Sequence, residues 1–135
     1  TRGDGFLYLP KEQVLCTGDA VTNGPYNFTG DSSIANWPNV IRQAQRLKVA
    51  HVLPGHGPAG GKDLLEGQAQ FLIELRKAVQ TAIDQGKTLD DLVKTDGGKP
   101  VSTTIELPHS VQHWVGRSIA VQVRETYNQL KSGAM

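Results

Sequence analysis

The chain has 135 residues, 38% of them hydrophobic and 20% charged, the size and composition of one domain able to bury its own core. Fourteen Lys and Arg face thirteen Asp and Glu, a net charge of +1 with the signs mixed along the chain, which offers no electrostatic case for nucleic acid or an anionic membrane. Cys16 is the only cysteine, so no intramolecular disulfide can form, and no apolar run approaches the roughly 18 residues of a membrane span. The opening residues show no leader pattern, so the expected location is cytoplasmic unless a longer precursor carries a signal peptide.

Residues 6–9 (FLYL) and 14–17 (VLCT) are short apolar runs separated by PKEQ, the pattern of a strand hairpin. Residues 18–33 form a long polar loop without apolar period, and a loop of that length in a small domain is more often functional than idle. Val40, Ile41, Ala44 and Leu47 predict a helix over 36–48, with Pro38 in its first turn. VAHVL, 49–53, reads as a buried strand. Leu65, Ala69, Leu72, Leu75, Val79 and Ile83 mark one face of a helix over 62–85, closed by Gly86. Thr88 and Asp91 stand in capping-box positions for a short helix, and DGGKP, 96–100, is a turn. After Pro108, the spacing of Val111, Trp114, Val115, Ile119, Val123 and Tyr127 predicts one final helix to about Lys131. The expectation is a single domain, 1–135, with a β-rich part (1–61) and a helical part (62–135).

Two strands end in a glycine-flanked polar residue: Asp19 in VLCTGDA and His56 in VLPGHG. Strand ends feeding loops are where ligands bind in open α/β sheets, and carboxylate and imidazole suit zinc and similar divalent ions. Each turn alone also has a structural reading, Asp19 as an Asx-turn former and His56 as a hydrogen-bonded surface histidine. His109 and His113, in HSVQH, are spaced i, i+4 and would share one helix face as a two-histidine metal clip, or serve as a cap-region residue and a neighbour of core Trp114. His51, inside a strand, reads as structural. Asp4 and Asp31 read as a turn former and an N-cap, and Cys16 as a small buried hydrophobe. Tyr26, Phe28 and Trp37 lie in or beside the long loop and either wall a pocket or cover the core.

GDGFLYLPKEQVLCTGDAVTNG followed by VLPGHGP resembles the C-terminal half of the metallo-β-lactamase superfamily over residues 1–60, and the helical remainder resembles the C-terminal extension of a hydrolase-like subgroup. The resemblance implies an α/β chain forming half of an αββα sandwich, a small mixed sheet with helices, at a site for one or two zinc ions. It places the metal-bridging carboxylate at Asp19 and a ligating imidazole at His56. It implies a hydrolase that attacks an ester, phosphoester or lactam of a small molecule with metal-activated water. The family's His-x-His-x-Asp-His segment is absent from the sequence, and the TRGD segment that ordinarily follows a third histidine opens it. Asp19, His56, His109 and His113 together would make a four-ligand set, within one chain or across two.

A half-sandwich leaves one sheet face without its facing layer, and FLYL and VLCT hold few polar residues on either face. An apolar sheet face in water is an association site, so a homodimer or larger homo-oligomer is expected. The alternative to a truncated enzyme is a non-catalytic half-domain that folds by dimerisation or pairs with a chain carrying the other half.

Overall fold

The structure, a computed structural model, describes residues 3–133. A three-stranded sheet is formed by β1 (Leu7–Leu9), β2 (Val14–Gly18) and β3 (His51–Pro54), in the order β1-β2-β3. The first two strands are the antiparallel hairpin read from FLYL and VLCT; β3 joins β2 in parallel after the long loop and α1 (Trp37–Ala44). The 22-residue α2 (Asp63–Asp84) follows, with Asp63 and Glu66 in the first turn, where the helix dipole favours acids. Next come α3 (Leu89–Leu92), the hairpin β4 (Val93–Asp96) and β5 (Lys99–Thr103), a 3-10 segment over His109–Trp114, and α4 (Ile119–Ser132).

The sheet has one covered face. Leu15, Thr17 and Val52 point inward and are buried, and Leu15 and Val52 join Ile41 and Ala44 of α1 and Leu65, Phe71, Leu72 and Leu75 of α2 in one core cluster. Tyr8 shares that face and donates its hydroxyl to the Lys48 carbonyl at 2.7 Å. The period-2 alternation of strands sends the other residues outward. Leu7, Cys16 and Leu53 line up across the sheet in one row, and Leu9, Val14 and His51 in the next. Leu7 is 60% exposed, Leu9 and Leu53 are exposed, and Cys16 is half-buried, so the outer face is apolar and uncovered by any described residue. Cys16, expected as a buried hydrophobe, and His51, expected as structural, therefore stand on this outer face.

The second part departs from the sequence reading in two places. DGGKP is the turn of a hairpin that the reading lacked. Gly97 and Gly98 have φ of +53° and +77°, the pattern of a type I′ turn, and that glycine pair is the signal that identifies it. The single helix expected after Pro108 is interrupted. Residues 109–114 form a 3-10 segment, Val115 is extended, and α4 starts at Ile119. With three residues per turn, positions i and i+4 no longer share a face, so His109 and His113 do not form the helical clip their spacing suggested. The expected capping box is present: Thr88 Oγ1 accepts from the Asp91 amide and Asp91 accepts from the Thr88 amide at 2.7 Å. Asp31, expected as an N-cap, lies upstream of α1, whose N-cap is Asn36. No helix among the described residues is long and apolar enough to cross a membrane.

Candidate metal site at the strand ends

β2 and β3 run parallel, so their C-terminal ends lie side by side and the TGDA and PGHG turns emerge together. Backbone bonds lace the turns. The Gly55 amide donates to the carbonyls of Gly18 (2.8 Å) and Val21 (3.1 Å), and the Asn23 amide donates to His56 O at 2.9 Å. Position 55 has no room for a side chain: a Cβ there would collide with the Asp19 carboxylate and stand 2.6 Å from the Gly18 carbonyl carbon. Gly57 has φ +85°, and its missing Cβ would collide with the Asn23 carbonyl oxygen. The two glycines flanking His56 are thus what lets its turn lie against the Asp19 loop.

Asp19 Oδ1 and His56 Nε2 are 3.4 Å apart, and both side chains are exposed, 77% and 56% respectively. Zinc bonds of about 2.0–2.2 Å to nitrogen and oxygen, opened to a tetrahedral angle, separate two donor atoms by about 3.3–3.5 Å. The pair therefore has the spacing of two corners of a zinc tetrahedron and is longer than a good charge-assisted hydrogen bond. Among the described residues, no group of three or more His, Cys, Asp or Glu is placed to hold one ion. The fit to a metal is thus two ligands of a shell that this chain's described residues do not complete.

His113 comes near the site through an intermediary. Its Nε2–H donates to Asn23 Oδ1 at 2.7 Å, while Asn23 Nδ2 donates to the Pro58 carbonyl at 2.8 Å. Asn23 is thus a cross-brace from the 3-10 segment to the histidine turn, a role its place in a polar loop did not disclose. Trp114 anchors that segment: its indole N–H donates to Thr22 O at 2.8 Å, its ring rests on Gly67 of α2, and the His113 ring meets it edge-on. His109 is exposed at the start of the segment. Trp37 half-buries itself and donates to the Ala20 carbonyl, which ties α1 to the Asp19 loop. A surface groove of about 510 Å³ between α1 and α2, lined by residues such as Pro38, Arg42 and Arg76, contains neither Asp19 nor His56.

No family model matches the chain. Among solved structures it is similar to the stereoselective inverting sec-alkylsulfatase Pisa1 from Pseudomonas sp., at 16% identity over 96% of this chain and 22% of that one, with a TM-score of 0.65. It is also similar to a metallo-β-lactamase from Pontibacter korlensis, at 32% identity over 50% of this chain and 34% of that one, TM-score 0.46. VMB-1 stands at 31% identity over 50% of this chain and 33% of that one, TM-score 0.46. The chain spans between 22% and 34% of the length of these proteins, and the alkylsulfatase likeness, running through both of its parts, carries the fold comparison.

Proposed function

We propose that this chain, which has part of the metallo-β-lactamase-superfamily fold, supplies one side of a zinc-dependent hydrolase site acting on an ester, phosphoester or lactam of a small molecule. The observation that carries this reading is the 3.4 Å spacing of Asp19 Oδ1 and His56 Nε2 at adjoining strand ends. Asp19 and His56 would hold the ion; zinc there, when bound, would polarise the scissile group and lower the pKa of an attacking water. The chain's own contribution is orientation. Gly55 and Gly57 let the two turns approach, and Asn23, held by His113, fixes the backbone on which His56 sits.

The remaining ligands and the cover for the outer sheet face would come from a second chain, most simply another copy in a homodimer. The apolar row Leu7, Cys16 and Leu53 supports that association. His109, exposed at its segment's start, is the candidate to reach a partner's Asp19 and His56, whereas His113 stands on another face of the segment and holds Asn23. The second reading, a non-catalytic half-domain, is favoured by the absence of a third metal donor among the described residues.

The deciding experiment is the zinc-to-protein ratio measured together with the oligomeric mass, on the parent and on His56→Ala and His109→Ala. The enzyme reading expects zinc in the parent and its loss in both variants. A parent purified from zinc-replete medium without metal sinks that reading, and retention in His56→Ala would mean His56 is not an anchor.

A further inference from the structure

Residues 24–30, GPYNFTG, run with their side chains inverted for a surface segment. Asn27 and Thr29 are buried, whereas Tyr26 and Phe28 are 53% and 67% exposed. An extended segment with one covered face ordinarily puts its apolar residues inward, and a shift of one residue would achieve that here. The inverted register leaves two rings in water. It also leaves Asn27 Nδ2 and Thr29 Oγ1 buried without a hydrogen-bond partner, as are Gln122 Oε1 and Thr126 Oγ1 on the helix facing them. Such groups are costly, so something must hold the register.

Three glutamines hold it. Gln68 Nε2 donates to Asn27 Oδ1 at 2.6 Å. Gln122 Nε2 donates to the Asn27 carbonyl at 2.7 Å. Gln129 Nε2 donates to the Thr29 carbonyl at 3.1 Å, while its Oε1 accepts from the Ile34 amide at 3.0 Å. The rings are seated as well. A Cβ on Gly24 would stand 2.7 Å from the Tyr26 ring, and one on Gly30 would stand 2.7 Å from the Phe28 ring. Each aromatic thus lies over the glycine two residues away. Tyr26 then reaches the site: its ring centroid is 5.7 Å from that of His56, with the planes tilted by 34°.

We infer that Tyr26 and Phe28 form an apolar platform that binds the aryl or alkyl group of a small-molecule substrate whose reacting group lies at Asp19 and His56. This rests on the hydrolase reading for the substrate's polar end, but the platform is built by the protein alone and needs no metal. The contact of Tyr26 with His56 makes the two surfaces continuous, which favours one ligand spanning both. The segment's structural costs coincide with the exposure of two rings, one of them against His56, the arrangement expected where a surface is shaped for a ligand rather than for stability.

The test is an NMR titration of the zinc-free protein with benzyl alcohol, following the ring signals of Tyr26, Phe28 and His56, with methanol as the control. Saturable shifts at all three rings are expected with benzyl alcohol only. The dissociation constant should rise roughly three- to tenfold in Tyr26→Ala and in Phe28→Ala, the worth of one aromatic contact. Phe28→Trp keeps the platform and should bind at least as well as the parent, which separates loss of the ring from loss of the fold. Because the titration is run without zinc, a failed zinc measurement and a failed platform are told apart. Shifts that grow linearly and match those of methanol overturn the inference. So does parent-like binding in both alanine variants, or a change of oligomeric mass in Phe28→Ala, which would make the rings a contact between copies.

Discussion

Replacing Gln68 by methionine keeps the side chain's length and removes its polar end. Gln68 is fully buried; its Nε2 donates to Asn27 Oδ1, and its Oε1 accepts from the Thr22 amide at 3.2 Å and the Thr22 hydroxyl at 3.3 Å. In Gln68→Met the Thr22 hydroxyl still has the Gly24 carbonyl at 3.1 Å. The Thr22 amide and Asn27 Oδ1 lose their partners in a place without solvent. Each newly orphaned buried group costs about 1–3 kcal/mol, and the better burial of methionine offsets part of this, for a net loss of about 2–4 kcal/mol. An unfolding entropy of about 2.1 cal/mol/K per residue gives about 0.28 kcal/mol/K for this chain, so Tm should fall by about 7–14 °C. Thermal unfolding followed by circular dichroism, at one protein concentration, measures it. Gln70→Met is the control: Gln70 is half-buried and donates only to Glu74 on its own helix, so its Tm should move by less than about 2 °C. If Gln68→Met also unfolds within about 2 °C of the parent, the buried glutamine is not what ties the long loop to α2.

Gly57→Ala puts a Cβ onto the Asn23 carbonyl at a φ of +85°, so a loss of about 1–3 kcal/mol is expected, with displaced His56 and Asn23 amide signals in NMR. Unchanged signals would refute the close approach of the two turns. Asp91 has its pKa lowered by the bond from the Thr88 amide and then by that from the Thr88 hydroxyl. A carboxylate lowered on folding stabilises the native state above its unfolded pKa and loses that effect as pH falls through the folded value. Asp91→Asn should therefore be less stable than the parent at neutral pH, and the two should converge below the ordinary carboxylate range; a gap independent of pH contradicts the capping charge. Leu7→Ser with Leu53→Ser breaks one row of the outer sheet face, and the double variant should sediment at a lower mass than the parent. A parent that is already monomeric at micromolar concentration removes the self-association proposal.

Local rules made much of the fold legible before any coordinates. Short apolar runs either side of PKEQ marked β1 and β2, the helical spacing of apolar residues marked α2, and Thr88 with Asp91 marked the cap of α3, because each depends only on neighbours in the chain. The two glycine-flanked turns were legible for the same reason, and the pairing of Asp19 with His56 followed from the family resemblance. The break after Trp114 was not legible. Apolar spacing alone cannot show that Trp114 is pulled onto Gly67 and Thr22, which holds residues 109–114 in a tighter helix.

The chain by itself determined β1, β2, α2, the cap of α3 and the two glycine-flanked turns, since those follow from residue type and short-range pattern, and the family resemblance added the open sheet face and the pairing of Asp19 with His56. The tertiary structure alone decided what the polar side chains do. It carries Asn23 from an unremarked loop position to the brace between His113 and the histidine turn. It turns Gln68, Gln122 and Gln129 into clamps, and so decides that Tyr26 and Phe28 face outward, Tyr26 against His56. A hydrogen bond between residues ninety positions apart leaves no local signature, whereas hydrophobic burial writes its period into the sequence.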